Sequence, residues 1–368
     1  MRAFGKCYAE AKGDKRQVEQ FLQKNLAKLD EYLLEALPHV FPKLVDAGSF
    51  GDKQGVASLF GEFGNAVSDF SLGDRALNLE LSIAAYQVAL QTYTRDEFPK
   101  EWAATQNNLG AAYSDRIRGD RAENLEQAIA AYELSLQVRT RDTFPEKWAA
   151  TQNNLGVAYC SRVQGDRAEN LEQAIAAYEL SLKIYTRDAF PEDWARSKHN
   201  LGNAYRDRIL GKHSDNLKAA IDLYQEAAQA FTQEAFPLKW AENQGCLAEA
   251  LIKQASLTDS SDDLDTAITL LKETLEVAVP GSPDFIDSQY RLGNALSRRF
   301  ERNQEASDLQ DALKAYKTAL DAINPEHYDR EKIWQALPTT QSVLGSRLVR
   351  EGQWQEGLQL LLNSVRLL

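Results

Sequence analysis

Side chains able to do acid–base, nucleophilic or metal chemistry are few in this chain, and they are scattered. The four histidines, His39, His199, His213 and His327, form no HExxH or His-x-His pattern and lack closely spaced carboxylates, so no metal site is implied. Cys7, Cys160 and Cys246 are an odd number with no CxxC pair, which fits reduced thiols and no disulfide framework. Cys160 and His199 could be drawn as a catalytic pair. Cys160, however, stands where Ser114 stands 46 residues earlier in nearly the same text, inside a helix, and an ordinary buried or groove-lining thiol is expected. No GxGxxG or GxxxxGK[ST] pattern offers a phosphate cradle, so neither catalysis nor a cofactor is expected. The polar groups that do recur at fixed spacing are amides: Asn107-Asn108, Asn153-Asn154 and Asn200 beside His199. Asparagine is a poor helix former, and its amide can both donate and accept, which matches the regular donors and acceptors of a polypeptide backbone.

These amides lie in a repeating frame. Trp102, Trp148, Trp194 and Trp240 are 46 residues apart, and the blocks opened by Trp102 and Trp148 agree at 36 of 46 positions. Such a period means one supersecondary unit stacked on copies of itself, with function on an extended surface rather than in a single pocket. In the block 102–147, Pro99 suits the first turn of a helix on which Trp102, Leu109 and Tyr113 face one way. Gly119-Asp120-Arg121 breaks that helix. Asn124 with Gln127 three residues on reads as a capping box for a second helix, which buries Leu125, Ala128, Ile129, Tyr132 and Leu136. Gly64, Gly110, Gly156, Gly202, Gly293 and Gly345, with Ala248 in the remaining copy, mark close helix crossings.

Leu109, Gly110, Tyr113, Ala128, Tyr132 and Ser135, and again Leu155, Gly156, Tyr159, Ala174, Tyr178 and Ser181, resemble the tetratricopeptide repeat. That family's usual period is about 34 residues; the excess here falls in the RxxGDRAEN and TRDxFPxxW connections. The long variant is similar to arrays that in many bacterial proteins precede a caspase-like protease domain of the CHAT type, a domain this chain does not contain. The resemblance implies an all-α, right-handed superhelical solenoid of antiparallel helix pairs whose first helices line a concave groove. In the family, an Asn just before Leu-Gly often points into the groove and bonds the backbone of an extended peptide. The match falls on Asn108, Asn154 and Asn200 and is lost at Cys246 and Arg291. The groove residues expected on this basis are Asn107, Asn108, Asn153, Asn154, His199, Asn200, Asn203, Arg206 and Lys253. Asparagine bridging neighbouring helices is the structural alternative. The family's carboxylate-clamp pattern is not reproduced.

Other features refine this picture. Five of the ten differences between the two best blocks cluster late on the first helix: Ala111/Val157, Ser114/Cys160, Asp115/Ser161, Ile117/Val163 and Arg118/Gln164. Asp115, Arg206, Asp207, Lys253 and Arg298 suggest a groove acidic early and basic late, or else solvated surface charge. Arg116, Arg162, Arg208 and Arg299 share one register and are expected to tie adjacent repeats. The Phe-Pro pairs starting at Phe98, Phe144, Phe190 and Phe236 read as staples between repeats.

Residues 1–55 are expected to be N-terminal capping helices, with Val18, Phe21, Leu22, Leu26, Leu29, Leu33 and Leu37 on one helical face. Residues 56–336 are expected to hold six helix pairs and 337–368 a seventh, divergent pair after an irregular stretch around Pro325 and Pro338. The end, with Leu360, Leu361, Leu362, Val365, Leu367 and Leu368, is apolar and suggests either continuation or self-association. A net charge of -12 weighs against nucleic acid and anionic membranes. The start has no apolar stretch of the kind a signal peptide needs, so a cytoplasmic location is expected. The implied function is a protein-interaction scaffold that binds a peptide or partner protein in the concave groove. The alternatives are a sensor region for a CHAT-type effector and a homo-oligomerisation module.

Overall fold

The computed structural model describes residues 1–12, 14–48, 50–324 and 329–367, with only the backbone for 329, 366 and 367. Pro325, His327 and Leu368, singled out above, lie outside the described residues, as does the side chain of Leu367. The helices follow in the order α1 (Arg2–Ala11), α2 (Lys15–Lys24), α3 (Glu31–Asp46), α4 (Lys53–Asp69), α5 (Arg75–Ala89), α6 (Pro99–Asp115), α7 (Arg121–Leu136), α8 (Pro145–Ser161) and α9 (Arg167–Ser181). After them come α10 (Pro191–Arg206), α11 (His213–Ala227), α12 (Pro237–Thr258), α13 (Ser261–Val277), α14 (Pro283–Asn303), α15 (Ala306–Ala322), α16 (Asp329–Arg350) and α17 (Trp354–Leu367). No strand occurs among the described residues. From α4 on, each even-numbered helix packs chiefly on the helix that follows it, so the fold is all-α and built of consecutive antiparallel helix pairs. No described helix is long and apolar enough to cross a membrane.

The chain forms two compact units, Met1–Tyr185 and Thr186–Leu368. In the first, Leu37, Phe41, Val56, Phe60, Phe63 and Leu81 are the heart of a core that joins α3 to α4 and α5. In the second, Tyr224, Leu251, Leu264, Leu271, Leu296 and Tyr316 belong to one continuous core.

The glycine register is a steric device. A Cβ on Gly64, Gly110, Gly156, Gly202 or Gly293 would meet the ring of Tyr86, Tyr132, Tyr178, Tyr224 or Tyr316 at 2.4–2.8 Å, inside any real contact distance. Where Ala248 replaces the glycine, the tyrosine position holds Leu271, a shorter side chain. Each buried tyrosine then needs a partner for its hydroxyl. Tyr86, Tyr224 and Tyr316 donate to the amide oxygens of Asn65, Asn203 and Asn294, each one residue past the glycine. At that place the two near-identical blocks carry Ala111 and Val157, and the hydroxyl turns to the side chain four past the glycine, Ser114 for Tyr132 and Cys160 for Tyr178. Cys160 is therefore a half-buried acceptor, an ordinary packing thiol.

The arginine register ties repeats together. Arg116 grips Glu80 of the preceding pair with two bonds of 2.7 and 2.8 Å, and Arg162 grips Glu126 the same way. Arg299 reaches back to Asp265 at 2.7 Å while holding Asp308 of its own pair.

Three local expectations are corrected. Asn124 is not an N-cap: α7 begins four residues earlier, capped by Asp120, whose carboxylate accepts from the Glu123 amide at 2.9 Å. Asn124 is instead buried, donating to the Arg118 carbonyl and accepting from Arg116, and so knots a connection in which Gly119 supplies φ +79°. The segment 15–37 is not one helical face, since Asn25 ends α2 and a 3-10 turn over Leu26–Lys28 leads to α3. Finally, Pro338 does not stop the chain's helix; it lies inside α16, where one lost rung leaves the rest of a 22-residue ladder intact.

Candidate functional site

A row of amides runs across the first helices of the first unit. The Tyr86 hydroxyl and the Asn108 amide both donate to Asn65 Oδ1, at 2.8 and 2.9 Å. Asn107 donates to Asn108 Oδ1 at 3.1 Å, and Asn107 Oδ1 lies 2.9 Å from the Thr151 hydroxyl, which accepts from Arg139 at 3.1 Å. The donors all point one way along the row, from Thr151 through Asn107 and Asn108 to Asn65. Asn107 and Asn108 thus bridge successive pairs, and Asn108 also reaches open space.

That space is a cleft of about 620 Å³ in the first unit. Three helices face it with stripes spaced by three and four residues. From α4 come Glu62, Asn65, Ala66 and Asp69; from α2 come Lys15, Val18, Glu19 and Leu22; from α6 come Asn108 and Ala111. Tyr8 on α1, with Tyr86 and Phe70, adds aromatic wall. Burial, then the hydrogen bond and the nearby charge of Glu62, push the Tyr8 hydroxyl up to about 12, so it stays protonated and serves as a donor. Phe4 holds α1 in place by an edge-on contact with Phe63 of α4 at 5.2 Å. Lys15 Nζ lies 3.3 Å from Asp69 Oδ2 at the cleft's rim.

The remaining expected groove residues are placed differently. Asn153 is buried at 3% exposure and His199 at 6%, so neither presents a side chain to a groove, a correction to the expectation above. The cause is that both occupy the register of Asn107, which points between helices. Asn154 and Asn200 are half-buried. At the register of Asn65, the neighbour before Asn154 is Ala111, which has no acceptor, so Asn154 cannot form the bond that occupies Asn108.

In the second unit a closed network replaces the open row. Asn243 donates to the Tyr224 carbonyl at 2.9 Å, so its oxygen faces His199 Nδ1 at 3.0 Å and accepts from it. His199 Nε2 then accepts from Asn203 at 3.1 Å, and Asn203 Oδ1 accepts from the Tyr224 hydroxyl at 2.7 Å. Both ring nitrogens are committed. Burial is the chief cause that lowers the His199 pKa, with Arg206 adding to it against the hydrogen bond of Asn243 and the charge of Glu242. The neutral imidazole is therefore favoured, with its proton on Nδ1.

The charge gradient is corrected as well. Arg206, Lys253 and Arg291 converge on the single carboxylate of Glu249, at 3.3, 2.8 and 3.1 Å. Arg206 is also paired with Asp207 at 3.0 Å. Asp287 also pairs with Arg291, so Arg206, Lys253 and Arg291 face three carboxylates and half-buried Arg206 and Lys253 are knit to their own fold, while Arg298 bonds the Ser256 hydroxyl. Among the described residues no group of three or more His, Cys, Asp or Glu side chains is arranged to hold a metal ion. His39 and His213 are exposed.

Sequence reasoning missed Lys15, Glu19, Glu62, Asn65 and Asp69. Asn65 follows Gly64 as Asn203 follows Gly202, and reading that register back into the first block would have found it, with Glu62 and Asp69 on the same face.

No curated protein matches the chain. Among solved structures of similar fold is a putative kinesin light chain of Podosopora anserina with nearly identical TPR-like repeats. It is 17% identical, covering 61% of this chain and 96% of its own, with a TM-score of 0.44. YrrB, a TPR protein with an unusual peptide-binding site, is 17% identical over 68% of this chain and 98% of its own, with a TM-score of 0.40. The apo quorum sensor NprR from B. thuringiensis is 12% identical over 94% and 99%, with a TM-score of 0.41. Residues 102–139 and 148–184, the two near-identical blocks, match the family model described as tetratricopeptide repeat, and these two helix pairs are tetratricopeptide repeats.

Proposed function

We propose that this protein is a non-catalytic interaction scaffold that binds a peptide segment of a partner protein on the first-helix face of its repeats, with the cleft of the first unit as the principal site. One observation carries the reading: side chains from α2, α4 and α6 converge on one open cleft, and its lining alternates amide, apolar and charged groups as a peptide's own surface does. Asn108 and Asn154 are the amides offered to a peptide backbone, with Asn107 holding Asn108 in position. In the second unit Asn200 holds the register of Asn108 and Asn203 that of Asn65, where Asn203 is already bonded to Tyr224 and His199.

The test is occlusion of the cleft. Ala111→Trp fills it at a register where Val157 shows that a larger side chain is accepted at the surface. Ala130→Trp adds the same bulk on the exposed face of α7 and serves as the control. A lysate partner retained by wild type and A130W but lost with A111W supports the reading; equal retention by all three removes it.

A second reading has its own observation. On α17, Trp354, Leu358, Leu362 and Val365 form one stripe, 50–70% exposed, and a second copy could cover it. Sedimentation equilibrium of wild type and a Leu358→Glu/Leu362→Glu variant decides it: a concentration-dependent dimer lost in the variant supports self-association, and a monomeric wild type ends it.

A further inference from the structure

We infer that the cleft is selective for cationic peptides carrying two basic residues three positions apart, an assignment that rests on the peptide-binding reading above. The lining holds three carboxylates, Glu19, Glu62 and Asp69, against one ammonium, Lys15, which leaves a net charge of two negative units over an apolar floor of Val18, Leu22 and Phe70. An acidic surface alone would mean little in a chain of net charge -12. Here the carboxylates border an open cleft with an apolar floor, and one of them already binds a cation. Asp69 accepts the Lys15 ammonium at 3.3 Å, although both side chains are largely exposed, at 70% and 89%. A pair so exposed contributes about 0–1 kcal/mol, so an incoming guanidinium or ammonium can displace Lys15 at small cost.

Spacing sets the pattern. Glu62 and Asp69 are seven residues apart on α4, about 10 Å along the axis at 1.5 Å per residue. That is too far for one cation to touch both. It matches residues i and i+3 of a polyproline-type extended chain, which repeats every three residues at about 3.1 Å each. Between the carboxylates, Asn65 and Ala66 leave room for the two intervening residues, and Asn108 stands opposite them on α6 to meet the peptide backbone.

The experiment pans a phage-displayed library of random nonapeptides against the wild type and against Glu62→Gln/Asp69→Asn. These near-isosteric changes remove charge without volume, and circular dichroism checks that the variant is folded. The best peptides are then synthesised with a fluorescein label and titrated by anisotropy. Expected is enrichment of Lys or Arg at positions i and i+3, affinity weakened about tenfold or more in the double variant, and tightening with Lys15→Gln. Enriched peptides without basic residues, or basic peptides that bind the double variant equally well, overturn the inference and leave peptide binding standing. Recovery of no specific peptide overturns the peptide-binding reading itself.

Discussion

A methyl group on Gly110 would stand 2.8 Å from Cε1 of Tyr132, and the ring cannot retreat because only 2% of Tyr132 is exposed. Gly110→Ala gains about 1 kcal/mol of helix propensity. Overpacking costs about 1–3 kcal/mol, so a net loss of about 1 kcal/mol is expected in urea unfolding. Tyr132→Leu in the same chain recreates the pairing of Ala248 with Leu271 and should relieve the clash. Gly110→Ala should therefore cost less in a Tyr132→Leu background than alone, and equal costs would show that the ring is not the obstacle.

The Arg162–Glu126 clasp makes an acid-limb prediction. The hydrogen bond from Arg162 holds the Glu126 carboxyl below its usual range. A depressed folded pKa contributes stability that is present above the unfolded value near 4.5 and is lost as pH falls through the folded value. Both side chains keep a quarter to a third of their surface exposed, so solvent screening limits the effect to about 1 kcal/mol. Glu126→Gln should lower the urea midpoint at pH 7 and flatten its fall between pH 5 and 3.

His199 acts in a higher window. Burial holds its folded pKa below the ordinary histidine value near 6.5, so the folded state prefers the neutral ring. The stability this gives is complete above that value and declines as pH falls below it, because protonated Nε2 would face the donor amide of Asn203. His199→Asn restores the residue of the two preceding repeats and should remove the decline. The readout is the difference in urea midpoint between pH 7.5 and 5.5, which should shrink in the variant.

Lys212 offers a stabilising change. It caps α11 with φ -81° and ψ 128°, nearly the backbone of Asp120 at -78° and 128°, but it has no side-chain bond to the first turn. Lys212→Asp supplies the carboxylate and should stabilise the protein by about 1 kcal/mol, raising its thermal midpoint. An unchanged midpoint would mean that the helix start already frays in the native state.

The helix pairs were legible in the sequence because their causes are local and repeated. Pro99, Pro145, Pro191 and Pro237 start helices, and the glycine register marks each crossing. Asn124 misled because it is a good capping residue on sequence grounds. Asp120 lies nearer the true start, and Asn124 turns inward to bind two groups whose positions only the folded connection sets. The groove amides were half legible. Asn107 and Asn108 are adjacent in sequence, but helical geometry turns one between the helices and leaves the other at the cleft. The cleft's acidic wall was not legible, since α1 and α2 belong to no repeat and meet α4 through contacts that no repeat register predicts, such as Phe4 on Phe63 and Lys15 on Asp69.

Asn108 is engaged by Asn65, whereas Asn154, with Ala111 in that place, is not. Two amides in identical stretches of text thus differ in availability because of a residue 43 positions upstream. What each repeat can offer a ligand is written partly in its neighbour. Exchanging a whole repeat would therefore alter recognition one step further along the chain, and specificity can drift without any change in the residue that makes the contact.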